Sequence, residues 1–124
     1  MSTFALGMRY TRSQINAALG GGVQAYLPTK DGRVVCGTFR LNTNPDAPRV
    51  VLPGFGPQVE RTAALFASQA ECVPIFIKRA TNAWEFVDHY RVARISRDPD
   101  EIASLAAKAG RSGSVSMVLH LSKC

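Results

Sequence analysis

VPIFIKRATNAWEFVDHYRVARI, Val73 to Ile95, is the stretch on which the fold turns. In its first part Val73, Ile75 and Ile77 alternate with Pro74, Phe76 and Lys78. So dense an apolar run predicts a strand buried on both faces. Ala80 to Ala83 then break the pattern, with Asn82 the natural turn residue. The second strand opens on the only tryptophan. Alternation places Trp84, Phe86, Asp88, Tyr90, Val92 and Arg94 on one face. Glu85, Val87, His89, Arg91, Ala93 and Ile95 take the other. Three aromatics with an acid and a base among them exceed what a core face needs. A site is expected there.

Working outward, the stretch after it reads SRDPDE, a helix start. Asp98 is the expected N-cap, Pro99 the first helical residue and Glu101 the closing member of a capping box. Ile102, Leu105, Ala106 and Ala109 point inward, Gly110 stops the helix, and Val115 to Leu121 form the last strand. Upstream, PGFGPQVER leads from a short strand, Arg49 to Leu52, into a helix over 59–70 with Val59, Ala63, Phe66 and Ala70 on its core stripe. Phe55 stands between two glycines, free to stack on a base or to turn inward. The helix entrance at Pro57 and Gln58 favours a phosphate, with Arg61 nearby to pair with it.

The earlier chain opens with alternating Phe4, Leu6, Met8 and Tyr10, then a brief helix capped by Thr11 or Ser13 and ended by Gly20 to Gly22. That glycine triplet lacks the GK[ST] ending of a P-loop and the GxGxxG spacing, so it reads as a helix stop and hinge. Val23 to Pro28 and Arg33 to Leu41 predict a hairpin about Asp31-Gly32. Gly37 within its second strand marks a bend or a close approach. The loop from Asn42 to Pro48 is stiffened by two prolines. Its amides, Asn42 and Asn44, either bond their own backbone or read the edge of a base.

The chain has 124 residues, 46% of them hydrophobic, enough for one domain spanning 1–124 with a real core. Short strands with three helices at edges and corners imply an α+β fold, a curled mixed sheet or small β-barrel. No apolar run reaches membrane-spanning length, and the N-terminus lacks the pattern of a signal peptide. Cys36, Cys72 and Cys124 are odd in number and widely spaced, which suits three incidental thiols in a reducing cytoplasm. Fifteen Lys and Arg, most of them Arg, stand against nine acids, a net charge of +6. Guanidinium groups pair with phosphate in a fork, so a polyanion partner is expected, nucleic acid before membrane. The plainer reading is that the charge only maintains solubility.

Catalysis is poorly served. His89 and His120 have no zinc-ligand spacing, no nucleophile elbow occurs, and Asp46, Asp88 and His89 make no paired acid–base set. A non-catalytic module without metal or cofactor is expected.

The segment Trp84-Glu85-Phe86-Val87-Asp88-His89-Tyr90-Arg91-Val92 resembles the aromatic-rich strand of PUA-like modules, which include the SRA, EVE and ASCH branches that read modified bases. VPIFIKR, Tyr26-Leu27-Pro28, VCGTF and NPDAP are similar to segments that accompany HNH nucleases in modification-dependent restriction proteins. The resemblance covers roughly Gly7 to Ile95 and departs from the pattern at Asp88, where the family carries a small residue. It implies a barrel with an aromatic pocket for an extruded base. Stacking on Trp84 with Phe55 or Tyr90 would offset the cost of extrusion. Asp88 would accept from the base edge, with Phe86 and Asn82 beside it. Lys78, Arg79, Arg91 and Arg61 would hold phosphates. The resulting expectation is a DNA-binding reader of a modified base or backbone in a restriction or defence system, with cleavage supplied by a separate nuclease subunit. Two alternatives stay open: a protein-interaction module whose Trp84 face is the hot spot, and an RNA-binding PUA-like domain.

Overall fold

Residues 4–124 are described by the structure, a computed structural model. In chain order the elements are β1 (Arg9–Tyr10), α1 (Arg12–Leu19), β2 (Thr29–Lys30), β3 (Arg33–Val34), β4 (Gly37–Phe39), β5 (Val50–Val51), α2 (Pro57–Ser68), β6 (Val73–Ala80), β7 (Ala83–Ser96), α3 (Pro99–Lys108) and β8 (Val118–Lys123). Six strands form one mixed sheet in the order β4-β6-β7-β8-β5, with β1 also paired to β7. β4 runs parallel to β6, and the other pairings are antiparallel. β2 and β3 form a separate ribbon. The fold is α+β with three helices. Among the described residues the sheet does not close into a barrel, because β4 and β5 remain its edges.

The β6–β7 hairpin is the one the sequence predicts, turning at Asn82 with φ 47°. Val73 to Ile77 are buried without exception. Ile75 and Ile77 pack into the main core with Phe39, Phe66 and Leu119, whereas Phe76 points to the other face and packs with Ile15, Trp84 and Phe86. Full burial of each such side chain contributes about 1.5–3 kcal/mol, so both faces stabilise the hairpin. α2 covers the first face through Ala63 and Phe66, α1 covers the second through Ile15, and α3 closes a third cluster over Leu52, Val115 and Val118.

Strict alternation fails along β7. Ile75 pairs with Asp88 but Phe76 with Phe86, which leaves Val87 as an extra residue, and a second shift follows at Ala93. A bulge moves every later side chain to the opposite face. Trp84 and Phe86 therefore lie in the second core, while Tyr90 and Val92 lie in the main one. The expected single aromatic face does not exist. Asp88 adopts φ 132° at the bulge, and its carboxylate accepts the His89 N–H at 2.7 Å.

Other expectations shift by short distances. The N-terminal strand is Arg9–Tyr10 alone, although Gly7 and Met8 still exchange backbone hydrogen bonds with Phe86, and the Asp31-Gly32 turn joins Thr29–Lys30 to Arg33–Val34 rather than a strand from Val23. α2 begins and ends two residues earlier than its periodicity predicts, leaving Ala70 exposed, and the last strand runs three residues later at its start. Gly37 has a packing cause: a Cβ there would lie 2.6 Å from the Phe39 ring and 2.7 Å from Ile75. Asp98 caps α3, but the Glu101 carboxylate does not return to the cap and instead meets His120. The reading of three free thiols is also corrected. Cys72 and Cys124 form a disulfide that joins the ends of β6 and β8 across β7, and only Cys36, buried, is free. Sequence distance hid this pair, since 52 residues separate two positions that the sheet makes neighbours.

Candidate nucleic-acid interface

The hairpin turn and the start of α1 meet at one end of the sheet. Thr11 caps α1 and receives the Gln14 N–H, while the Thr11 N–H donates to the Gln14 side chain. That box sets Arg12 at the first helical position, where its N–H donates to Asn82 Oδ1 at 3.0 Å. The Arg12 guanidinium lies 5.1 Å from the centre of the Trp84 ring, and Lys78 Nζ lies 5.9 Å from it. Arg12 Nη2 also donates to the carbonyls of Gly22 and Ala25, both at 3.0 Å, which ties down the glycine hinge. Its Nε is buried with no partner among the described residues. Burial, and repulsion from Arg40, lower the Arg12 pKa, partly opposed by Cys36.

Around this pair opens a cleft in three adjoining parts. A hollow of about 380 Å³ is walled by Arg12, Gln24, Arg40, Lys78, Asn82 and Trp84. One of about 300 Å³ continues from Arg40 and Lys78 to Asn42 and Arg79. A narrower one of about 190 Å³ leads inward past Trp84 to Tyr26, Thr38 and Asn44. The two outer parts are near the lower bound for small-ligand sites, and the inner one is below it. Arg79 pairs with Glu85 at 2.8 Å. Arg40 and Lys78 have no carboxylate partner among the described residues, and Arg12 has only carbonyls and a ring. The cleft is cationic, lined by amides, and floored by an aromatic. No protein-family model, curated protein or solved structure matches the chain.

Of the residues proposed from sequence, Trp84, Lys78, Arg79, Asn82, Asn42 and Asn44 come together here. Trp84 does so as a buried floor, 4% exposed and covered by Arg12, and not as an open stacking platform. Asn44 is largely committed to structure, its Oδ1 taking the Leu52 N–H at 2.7 Å. The others lie elsewhere. Phe86 and Tyr90 are buried in separate cores. Asp88 is engaged by Lys123 Nζ at 3.3 Å as well as by the His89 N–H, and these contacts hold its pKa below the usual carboxylate range, the backbone bond first. Phe55 is 64% exposed, outside the cleft walls. Arg61 and Arg91 are exposed and line no part of the cleft. At the α2 entrance the Glu60 carboxylate accepts the Gly56 N–H at 2.9 Å, which places an acid where a phosphate was expected.

Sequence reasoning missed Arg12 and Arg40. Arg12 carried a signal: a cation in the first turn of a helix opposes the helix dipole, and α1 has no acid there. A local rule broken without local compensation often marks a site. Arg40 carried none, since its place beside Lys78 depends on the parallel pairing of β4 with β6. Among the described residues, no group of three or more His, Cys, Asp or Glu is placed to hold a metal. No helix there is long and apolar enough to cross a membrane.

Proposed function

We propose that this domain is a non-catalytic nucleic-acid-binding module, DNA before RNA, that reads a modified base or backbone through the Arg12–Arg40–Lys78 cleft. The observation that carries the proposal is the convergence of three cations, none paired with a carboxylate, on a nucleotide-sized hollow floored by Trp84. Uncompensated cations at a concave site gain most from a polyanion, whose phosphates release counterions when neutralised. The resemblance of Val73–Ile95 and its neighbours to PUA-like readers supports the same class and suggests a restriction or defence setting, with a separate nuclease polypeptide. A rival interaction module would need an exposed Trp84 face, and Trp84 is buried.

The test is binding of the purified protein to matched duplexes, unmodified or carrying 5-methylcytosine, 5-hydroxymethylcytosine, 6-methyladenine or phosphorothioate, across a salt series. Replacing Arg40 and Lys78 together by Ala should weaken binding and reduce the salt slope by about 2. Preference for one modification supports a reader. Equal binding to every duplex would reject the reading of modification, and no binding at low salt would reject nucleic acid altogether.

A further inference from the structure

We infer that the cleft continues into a seat for a single nucleobase, read there through its carbonyl groups; this rests on the nucleic-acid reading above. Past the inner part of the cleft, and sharing Tyr26, Thr43 and Asn44 with it, lies a chamber of about 250 Å³. Leu52, Pro53 and Val59 make its apolar wall. Its character is opposite to that of the cleft, and the two together suit a ligand with a flat apolar ring at one end and phosphate at the other.

The polar groups of the chamber favour one kind of ring. Each of its wall carbonyls already accepts at least one hydrogen bond. Thr43 O and Leu52 O both accept from Arg111 Nη1, at 2.9 and 2.7 Å. Pro53 O accepts from the Ser116 N–H and Gly54 O from the Ser116 hydroxyl. Val59 O takes the Tyr26 hydroxyl at 2.7 Å, Tyr26 O the Thr38 N–H, and Asn44 O the Ala47 N–H. Donors, in contrast, remain. Asn44 Nδ2 carries two hydrogens and gives one, to Thr43 Oγ1 at 3.2 Å. Arg111 has five N–H groups and uses three, the third weakly to Ser114 O at 3.5 Å. A seat with free N–H groups, and carbonyls each already engaged by a donor, suits a base rich in carbonyls, such as thymine or uracil. The amino group of adenine finds there only acceptors already engaged by another donor, a weaker match than a carbonyl finds in the free N–H groups.

The experiment measures binding of oligo(dT) and oligo(dA) of equal length, at moderate salt, to the wild-type chain and three variants. Gly54→Val fills the chamber mouth: a Cβ at Gly54 lies no closer than 3.6 Å to any neighbour. Val59→Trp fills it from α2, and thermal melting shows which variants fold. Arg40→Glu acts on the cleft alone. Wild type should prefer oligo(dT) by about tenfold. Either filled variant should erase that preference and keep the salt-dependent binding common to both strands, whereas Arg40→Glu should weaken both strands alike. Equal binding of the two strands by wild type, or a preference that survives in a folded filled variant, would overturn the base seat and leave the basic cleft standing. Failure of both strands to bind at low salt would overturn the cleft reading itself.

Discussion

The two ends of β7 are built from similar residues and differ in how their charges are met. At the far end every cation named has an acid. Lys123 faces Asp88 at 3.3 Å, Arg94 faces Glu101 at 3.5 Å, and Lys108 reaches Asp46 at 3.1 Å from α3. Glu101 also holds His120 at 2.6 Å, and hydrogen bonds from Ser96 and then His120 keep its pKa below the usual range. The disulfide ties that end together. At the near end, Arg12, Arg40 and Lys78 crowd about Trp84 with no carboxylate of their own. Exposed ion pairs contribute little energy. Their lesson is one of disposition: Lys123, Arg94 and Lys108 are each met by an acid, and Arg12, Arg40 and Lys78 are not.

The largest effect that would sharpen this contrast comes from disulfide reduction. The bridge closes a loop of 52 residues. By chain entropy it stabilises the fold by about 4 kcal/mol. Denaturant titration with and without reductant measures it, and an unchanged midpoint would show that the far end needs no covalent tie. At the near end, Trp84→Ala should cost about 3–5 kcal/mol, because a fully enclosed side chain is removed from the second core. Trp84→Phe keeps an aromatic under Arg12 and should retain most of that stability, as read by thermal melting. A mild Ala variant would mean that the guanidinium can settle onto the remaining core.

A smaller effect is expected in acid. Asp88 and Glu101 both have folded pKa values lowered from 3.8 and 4.5. Each therefore contributes stability that is present above its unfolded pKa and lost as pH falls through the lowered value. Stability should be flat above about pH 5 and decline below it, and Asp88→Asn with Glu101→Gln should flatten that decline. An equally steep acid limb in the double variant would assign the loss to other carboxylates. Cys36 gives the smallest signal. Burial pushes its thiol pKa up to about 12, so it should resist alkylation at pH 8 until the chain unfolds. Rapid labelling of the native protein would show that the second core opens.

What the sequence determined by itself is local. The β6–β7 hairpin, the Asp31-Gly32 turn, the Thr11 and Asp98 caps, and the doubly buried run at Val73 all follow from periodicity and from residues whose conformational preferences act within a few positions. Four of the cleft residues were legible for the same reason, since Lys78, Arg79, Asn82 and Trp84 sit on that hairpin. The tertiary structure decided the rest. Bulges at Val87 and Ala93 arise from pairing with β6 and β8, and they send Phe86 and Tyr90 to opposite cores. Arg40 joins the cleft only because β4 lies parallel to β6, and Cys72 finds Cys124 only because β7 lies between their strands. Propensity and alternation act along the chain, whereas pairing register and charge neighbourhood act through space, and the candidate site of this protein is made of the second kind.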